Sequence, residues 1–245
     1  MDGMSEVDGM VGSTNGFDFY ETVGIVIPGA IALVGAAAVS PTLDRWLLSG
    51  AISLGDFGLL LMLSYATGHL VHGVGNMLEA LVYRGFGGSP SDWPRLGREG
   101  ILSQSQCNRL VHRLRERDFI PVSSLRDISE ADWRGIVIEL AAMTRATGQT
   151  RRLDSFNRTY GLLRGLAAAL LLVLLFLVAS SGTNFSELWQ VKVALLLGFA
   201  VALYRMHRFS CHYARELFVQ FLRLASVETP PSDGFTTTRE EARHV

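Results

Sequence analysis

An all-α, polytopic membrane protein with four transmembrane helices is the fold class this sequence predicts. Three observations lead there. Apolar residues gather in long uncharged runs, arginines are unevenly shared among the segments between those runs, and the remaining chain carries apolar residues at helical spacing. The chain has 245 residues, 49% of them hydrophobic, with a net charge of −1. A soluble domain can be this apolar, so the distribution decides the class and the total does not.

The elements follow in chain order. Residues 1–21 are acidic, contain no Lys or Arg, and read as a cytoplasmic N-terminal segment. That excludes a signal peptide, which needs basic residues ahead of its apolar core. Residues 22–83 hold the first transmembrane pair. "TVGIVIPGAIALVGAAAVS" (22–40) is uncharged with Pro28 and Gly29 at its middle. A membrane helix tolerates such a pair when neighbouring groups satisfy the carbonyl that proline leaves free. "FGLLLMLSYATGHLVHGVGN" (57–76) is the second span. Residues 84–158 are the cytoplasmic helical region. It opens with a Gly- and Pro-rich linker carrying Trp93 and continues into two amphipathic helices. One carries Cys107, Leu110, Val111 and Leu114 on a single face. The other starts at a cap formed by Ser129 and Asp132 and aligns Trp133, Ile136, Val137, Leu140 and Ala141. Together they predict a small helical hairpin.

Residues 159–227 hold the second transmembrane pair and a helical extension. "GLLRGLAAALLLVLLFLVASSG" (161–182) has no charge between Gly165 and Ser180, and with its flanks it reaches the roughly 20 residues that cross a hydrocarbon core. One helix is expected to run from Leu153 into it. "LWQVKVALLLGFAVALYR" (188–205) is the fourth span, and Phe209, Tyr213, Leu217, Phe221 and Leu224 continue its periodicity. Residues 228–245 read as a disordered tail.

Arginine placement predicts orientation. Residues 83–159 hold thirteen Arg, the connection 41–56 has only Arg45, and 181–188 has no basic residue. The positive-inside rule therefore puts the middle region and both termini in the cytoplasm, with a bacterial inner (cytoplasmic) membrane as the location. Trp46 and Trp189 then fall at the outer interface. Cys107 and Cys211 fall on the reducing side, which argues against a structural disulfide.

The second span carries the most informative residues. Tyr65, His69, His72, Asn76 and Glu79 follow one another at spacings of four, three, four and three, which is one helix face. Gly68 and Gly75 lie beside them and allow another backbone close approach. With Asp56 at the outer surface, a rise of about 1.5 Å per residue puts His69 about 20 Å in and Glu79 about 35 Å in, near the inner interface. Lipid offers such groups no partners, so the seam must face a bundle interior, another subunit or a water-filled path. Three readings follow: interhelical glue, a seam that conducts or gates within an oligomer, and a metal site on His69 and His72. The metal site lacks further ligands in the membrane, so no metal and no cofactor is expected.

Arg205, Arg208, His212 and Arg215 form a basic juxtamembrane collar, suited to anionic lipid or to ion pairs with Glu79 and Glu21. No phosphate-binding loop, nucleophile elbow or HExxH is present. Ser64 lacks a Gly-x-Ser-x-Gly context. Arg205 and His212 match only the loose Arg-x(4–6)-His spacing of HEPN ribonucleases, with Met206 where a polar residue is usual. The reading is therefore non-enzymatic.

Four stretches, "YETVGIVIPG" (20–29), "YATGHLVHGVGNMLE" (65–79), "FNRTYGLLRG" (156–165) and "YRMHRFSCHYARELF" (204–218), resemble those of small four-span bacterial inner-membrane proteins. In plan the chain is similar to membrane effectors of anti-phage systems attached to CBASS or CRISPR modules. That resemblance implies a homo-oligomer that permeabilises or depolarises the membrane when a cytoplasmic protein partner signals. The chain departs from it in having no recognisable nucleotide-sensing domain, and no direct contact with nucleic acid is expected. The alternative is a membrane scaffold that anchors a cytoplasmic partner through residues 85–150.

Overall fold

The computed structural model describes residues 19–47, 53–119, 124–147, 151–180 and 188–227, and every regular element among them is helical. α1 spans Phe19–Val39, α2 Pro41–Leu47, α3 Leu54–Gly85, α4 Trp93–Leu96, α5 Gln104–Glu116, α6 Glu130–Ala146, α7 Arg151–Ser180 and α8 Trp189–Val227. Four stretches are long and apolar enough to cross a membrane: Thr22–Val39, Leu54–Gly85, Arg151–Ser180 and Trp189–Leu224. The described residues are all-helical, with four candidate membrane spans by length and apolarity. The expected tail 228–245, nearly all of segment 1–21 and the side chain of Trp46 lie outside the described residues.

Local chemistry sets the helix starts. α3 begins at a reciprocal cap in which Ser53 N–H donates to the Asp56 carboxylate (3.0 Å) and Asp56 N–H donates to Ser53 Oγ (3.2 Å). Ser103 and Gln106 repeat the device at α5. At α6 the Ser129 hydroxyl accepts from Asp132 N–H at 3.1 Å, as the sequence predicts. Each such cap satisfies donors that a helix start leaves open and contributes about 1 kcal/mol.

The chain forms two compact units. The first contains residues 1–90 and 152–213, and the second 91–151 and 214–245. In the first, α1 and α3 meet at glycines. A Cβ on Gly29 would overlap the Ser64 carbonyl, and one on Gly68 would overlap the Ile25 carbonyl. Only hydrogen fits at either place. α7 joins through Gly35, whose missing Cβ makes room for Val173. Ala32, Val71, Ala168 and Ala169 form the buried core between these helices, with Ile31, Val74 and Leu172 packed against it. Lipid tails are as apolar as these side chains, so close van der Waals packing and hydrogen bonds hold the helices together.

The second unit has its own core. Leu110 and Leu114 of α5, Trp133 and Leu140 of α6, and Leu217 and Phe218 of α8 are fully buried. Trp133 stacks on Phe218 with ring centroids 6.0 Å apart and donates its indole N–H to the Ser91 carbonyl at 3.0 Å. Arg215 donates to the Gly100 and Ile101 carbonyls at 2.6 and 3.3 Å. The sequence expectation treats 84–158 as a region by itself. In the structure, Leu217, Phe218, Phe221 and Leu222 of α8 complete this unit's core.

Candidate functional site

A polar residue of α3 is held by a backbone group of α1. Pro28 has no N–H, so the carbonyl of Gly24, four residues earlier, has no partner within its own helix. His72 Nε2 lies 3.1 Å from that carbonyl oxygen. A carbonyl only accepts, so Nε2 carries the hydrogen of this bond. Gly165 of α7 completes the joint. A Cβ there would stand 2.9 Å from His72 Nε2 and 3.0 Å from Pro28 Cγ. Three helices therefore meet at a proline, a histidine and a glycine.

Nearer the end where α3 finishes and α7 begins, Arg164 donates through Nη1 to Glu79 at 2.7 Å, with 22% and 25% of the two side chains exposed. Tyr160 adds its hydroxyl to the Glu79 carboxylate, and the Arg164 guanidinium lies 5.6 Å from the centre of the Tyr160 ring. Arg164 Nε–H is buried and donates to no acceptor among the described residues. A carboxylate and a guanidinium at this depth neutralise each other, which lowers the cost of holding either in lipid.

Beside this pair is a cleft of about 450 Å³. Its walls are Gly24 and Ile25 of α1, His69 and His72 of α3, and Asp154, Asn157, Arg158, Gly161, Leu162 and Arg164 of α7. The lining is polar, with Asp154, Asn157 and Arg158 on the part of α7 that precedes its charge-free run.

The five predicted seam residues divide. His72 and Glu79 are half-buried within the unit. Tyr65 is 41% exposed, its ring edge-on to His69 at 4.7 Å, and His69 and Asn76 are exposed as well. His69 belongs to both sets, because it lines the cleft and also faces outward. Gly68 and Gly75 are buried, the first against α1 and the second beside Arg164.

The collar residues have mostly local partners. Arg205 lies over Phe209 at 5.6 Å, Arg208 reaches the Tyr204 hydroxyl at 3.5 Å, and His212 stacks on Phe156 at 5.7 Å. Arg215 serves the second unit. Glu79, a suggested partner of the collar, pairs with Arg164, and the side chain of Glu21 lies outside the described residues. Among the described residues no three His, Cys, Asp or Glu are arranged to hold a metal ion.

Sequence reasoning did not single out Arg164 or Tyr160. The available signal was the position of Arg164 immediately before the charge-free run, where an antiparallel neighbour would place Glu79 opposite it. Comparison with known proteins finds no matching family model, no matching curated protein and no matching solved structure.

Proposed function

We propose that this protein is a non-enzymatic, channel-like membrane component that acts as a homo-oligomer, with the outward edge of α3 covered by a second copy. One observation carries the reading: Tyr65, His69 and Asn76 project from the outside of a membrane-crossing helix. Exposed to hydrocarbon, an amide and an imidazole would lose hydrogen bonds worth several kcal/mol between them. A second copy or a water-filled path supplies what lipid does not. The cleft supports the same reading, because it brings polar surface from one end of the bundle to His69, which also stands on that edge.

By the arginine asymmetry both termini and the second unit lie in the cytoplasm. Permeabilisation or depolarisation of a bacterial inner membrane on a signal from a cytoplasmic partner, as in anti-phage defence, is the role we assign to the oligomer. Inducible expression in bacteria with a membrane-potential dye tests it. The wild-type chain should depolarise cells, and His69→Leu with Asn76→Leu should not, at equal protein amount. Equal depolarisation by both would remove the α3 edge from the mechanism.

A second reading, a membrane scaffold for a cytoplasmic partner, is supported by the separate core of the second unit. It predicts that expression leaves the membrane potential unchanged, and that a partner protein copurifies through residues 85–150.

A further inference from the structure

We infer that α3 pairs with the α3 of one other copy, parallel and in register, along a seam of Ala66, His69, Gly73, Asn76 and Ala80; this rests on the homo-oligomeric reading above and specifies its contact. The five residues are exposed and follow one another at spacings of three, four, three and four. That alternation is the heptad seam of a left-handed helix pair. Ala66, Gly73 and Ala80 take one of its core positions, and His69 and Asn76 take the other. The opposite side of the same helix shows what such a pattern does in this molecule. Ser64, Gly68, Val71 and Gly75 are buried at spacings of four, three and four, and Gly68 brings α3 against the Ile25 carbonyl of α1. The outward seam has small residues again, and a Cβ built at Gly73 meets nothing within 4 Å.

The polar groups decide what covers it. A side-chain amide and a neutral imidazole each carry a donor and an acceptor, so Asn76 and His69 are each complementary to their own copy. The outward faces of the other three spans carry Ile27 and Val34 on α1, Leu175 on α7, and Leu197 and Val201 on α8. Such side chains offer an amide no partner, and neither does lipid. Both copies insert with one orientation, because they share one arginine distribution. A two-fold axis along the membrane normal then sets each residue opposite its own counterpart. A polar residue in such a seam fixes register and oligomer state. His69 also lines the cleft, so each copy brings its cleft to the shared seam.

Single cysteines in full-length protein, in a Cys107→Ser, Cys211→Ser background in native membranes, test this by disulfide formation. Ala66→Cys, Gly73→Cys and Ala80→Cys should crosslink several-fold faster than Thr67→Cys and Val74→Cys. The wild-type protein extracted in lipid nanodiscs should have the mass of two copies. Asn76→Leu should weaken that association about fivefold or more, as loss of an interhelical hydrogen bond predicts. A larger assembly overturns this inference and leaves the homo-oligomer standing. So does a dimer whose disulfides show no preference among the five positions, or join Gly73→Cys to Leu197→Cys of a co-expressed copy. Undiminished association of Asn76→Leu does the same. A monomeric mass without crosslinks overturns both.

Discussion

A proline placed inside a membrane helix frees one carbonyl, and in this chain a histidine from another helix answers it. The Gly24–His72 bond couples α1 to α3, and its loss has a specific remedy. His72→Leu leaves the half-buried Gly24 carbonyl without its side-chain partner, at a cost of about 1 kcal/mol because the cleft it lines admits water. Pro28→Ala returns an N–H four residues after Gly24 and restores the bond within α1. Thermal unfolding in detergent should therefore show a lowered midpoint for His72→Leu and partial recovery in the Pro28→Ala, His72→Leu double variant. Additive losses would show that the histidine acts elsewhere. Glu79→Gln makes a similar test of the ion pair. It strands Arg164, and because a quarter of each side chain is exposed the loss should be about 2–3 kcal/mol, at or below the fully buried range. Pro28, His72 and Glu79 were each conspicuous in the sequence. Their pairings were not, because the Gly24 and His72 partners are 48 residues apart and only the packing of α1, α3 and α7 fixes the register.

At the scale of elements, glycine placement decides which helix faces can touch. Gly29 and Gly68 have no room for a side chain, whereas nothing lies within 4 Å of a Cβ built at Gly73. Gly29→Leu should force α1 from α3 and lower the yield of folded protein sharply. Gly73→Leu should leave the monomer's stability within about 0.5 kcal/mol, as is usual for surface sites. Size-exclusion profiles and unfolding midpoints of the two variants distinguish these outcomes. In the second unit Trp133→Ala should cost about 3–5 kcal/mol, because it empties a fully buried site. Limited proteolysis of the intact protein within 91–151 would register it. Burial also raises the Cys107 thiol above its ordinary titration range, so this cysteine should alkylate slowly at neutral pH. The helical spans, the Ser129 cap and the apolar stripes of α5 and α6 were all legible from run length, spacing and Ser-x-x-Asp chemistry. The part played by Phe218 in the second core was not, since periodicity shows that a face is apolar without showing what covers it.

For the molecule as a whole, arginine distribution and the outward edge of α3 make separate claims. The first concerns orientation. Reporter fusions after Pro41 and at Leu188 should read as periplasmic, and fusions at Gln104 and Arg126 as cytoplasmic; the reverse pattern would invert the assignment. The second is the central claim, that a second copy covers Tyr65, His69 and Asn76. Disulfide crosslinking in native membranes tests it most directly. Asn76→Cys and Gly73→Cys would be made separately in a Cys107→Ser, Cys211→Ser background, with Leu197→Cys on the exposed face of α8 as the reference. Dimers should form rapidly at positions 73 and 76 and little at 197. Crosslinking at 73 and 76 no faster than at 197 would contradict the claim.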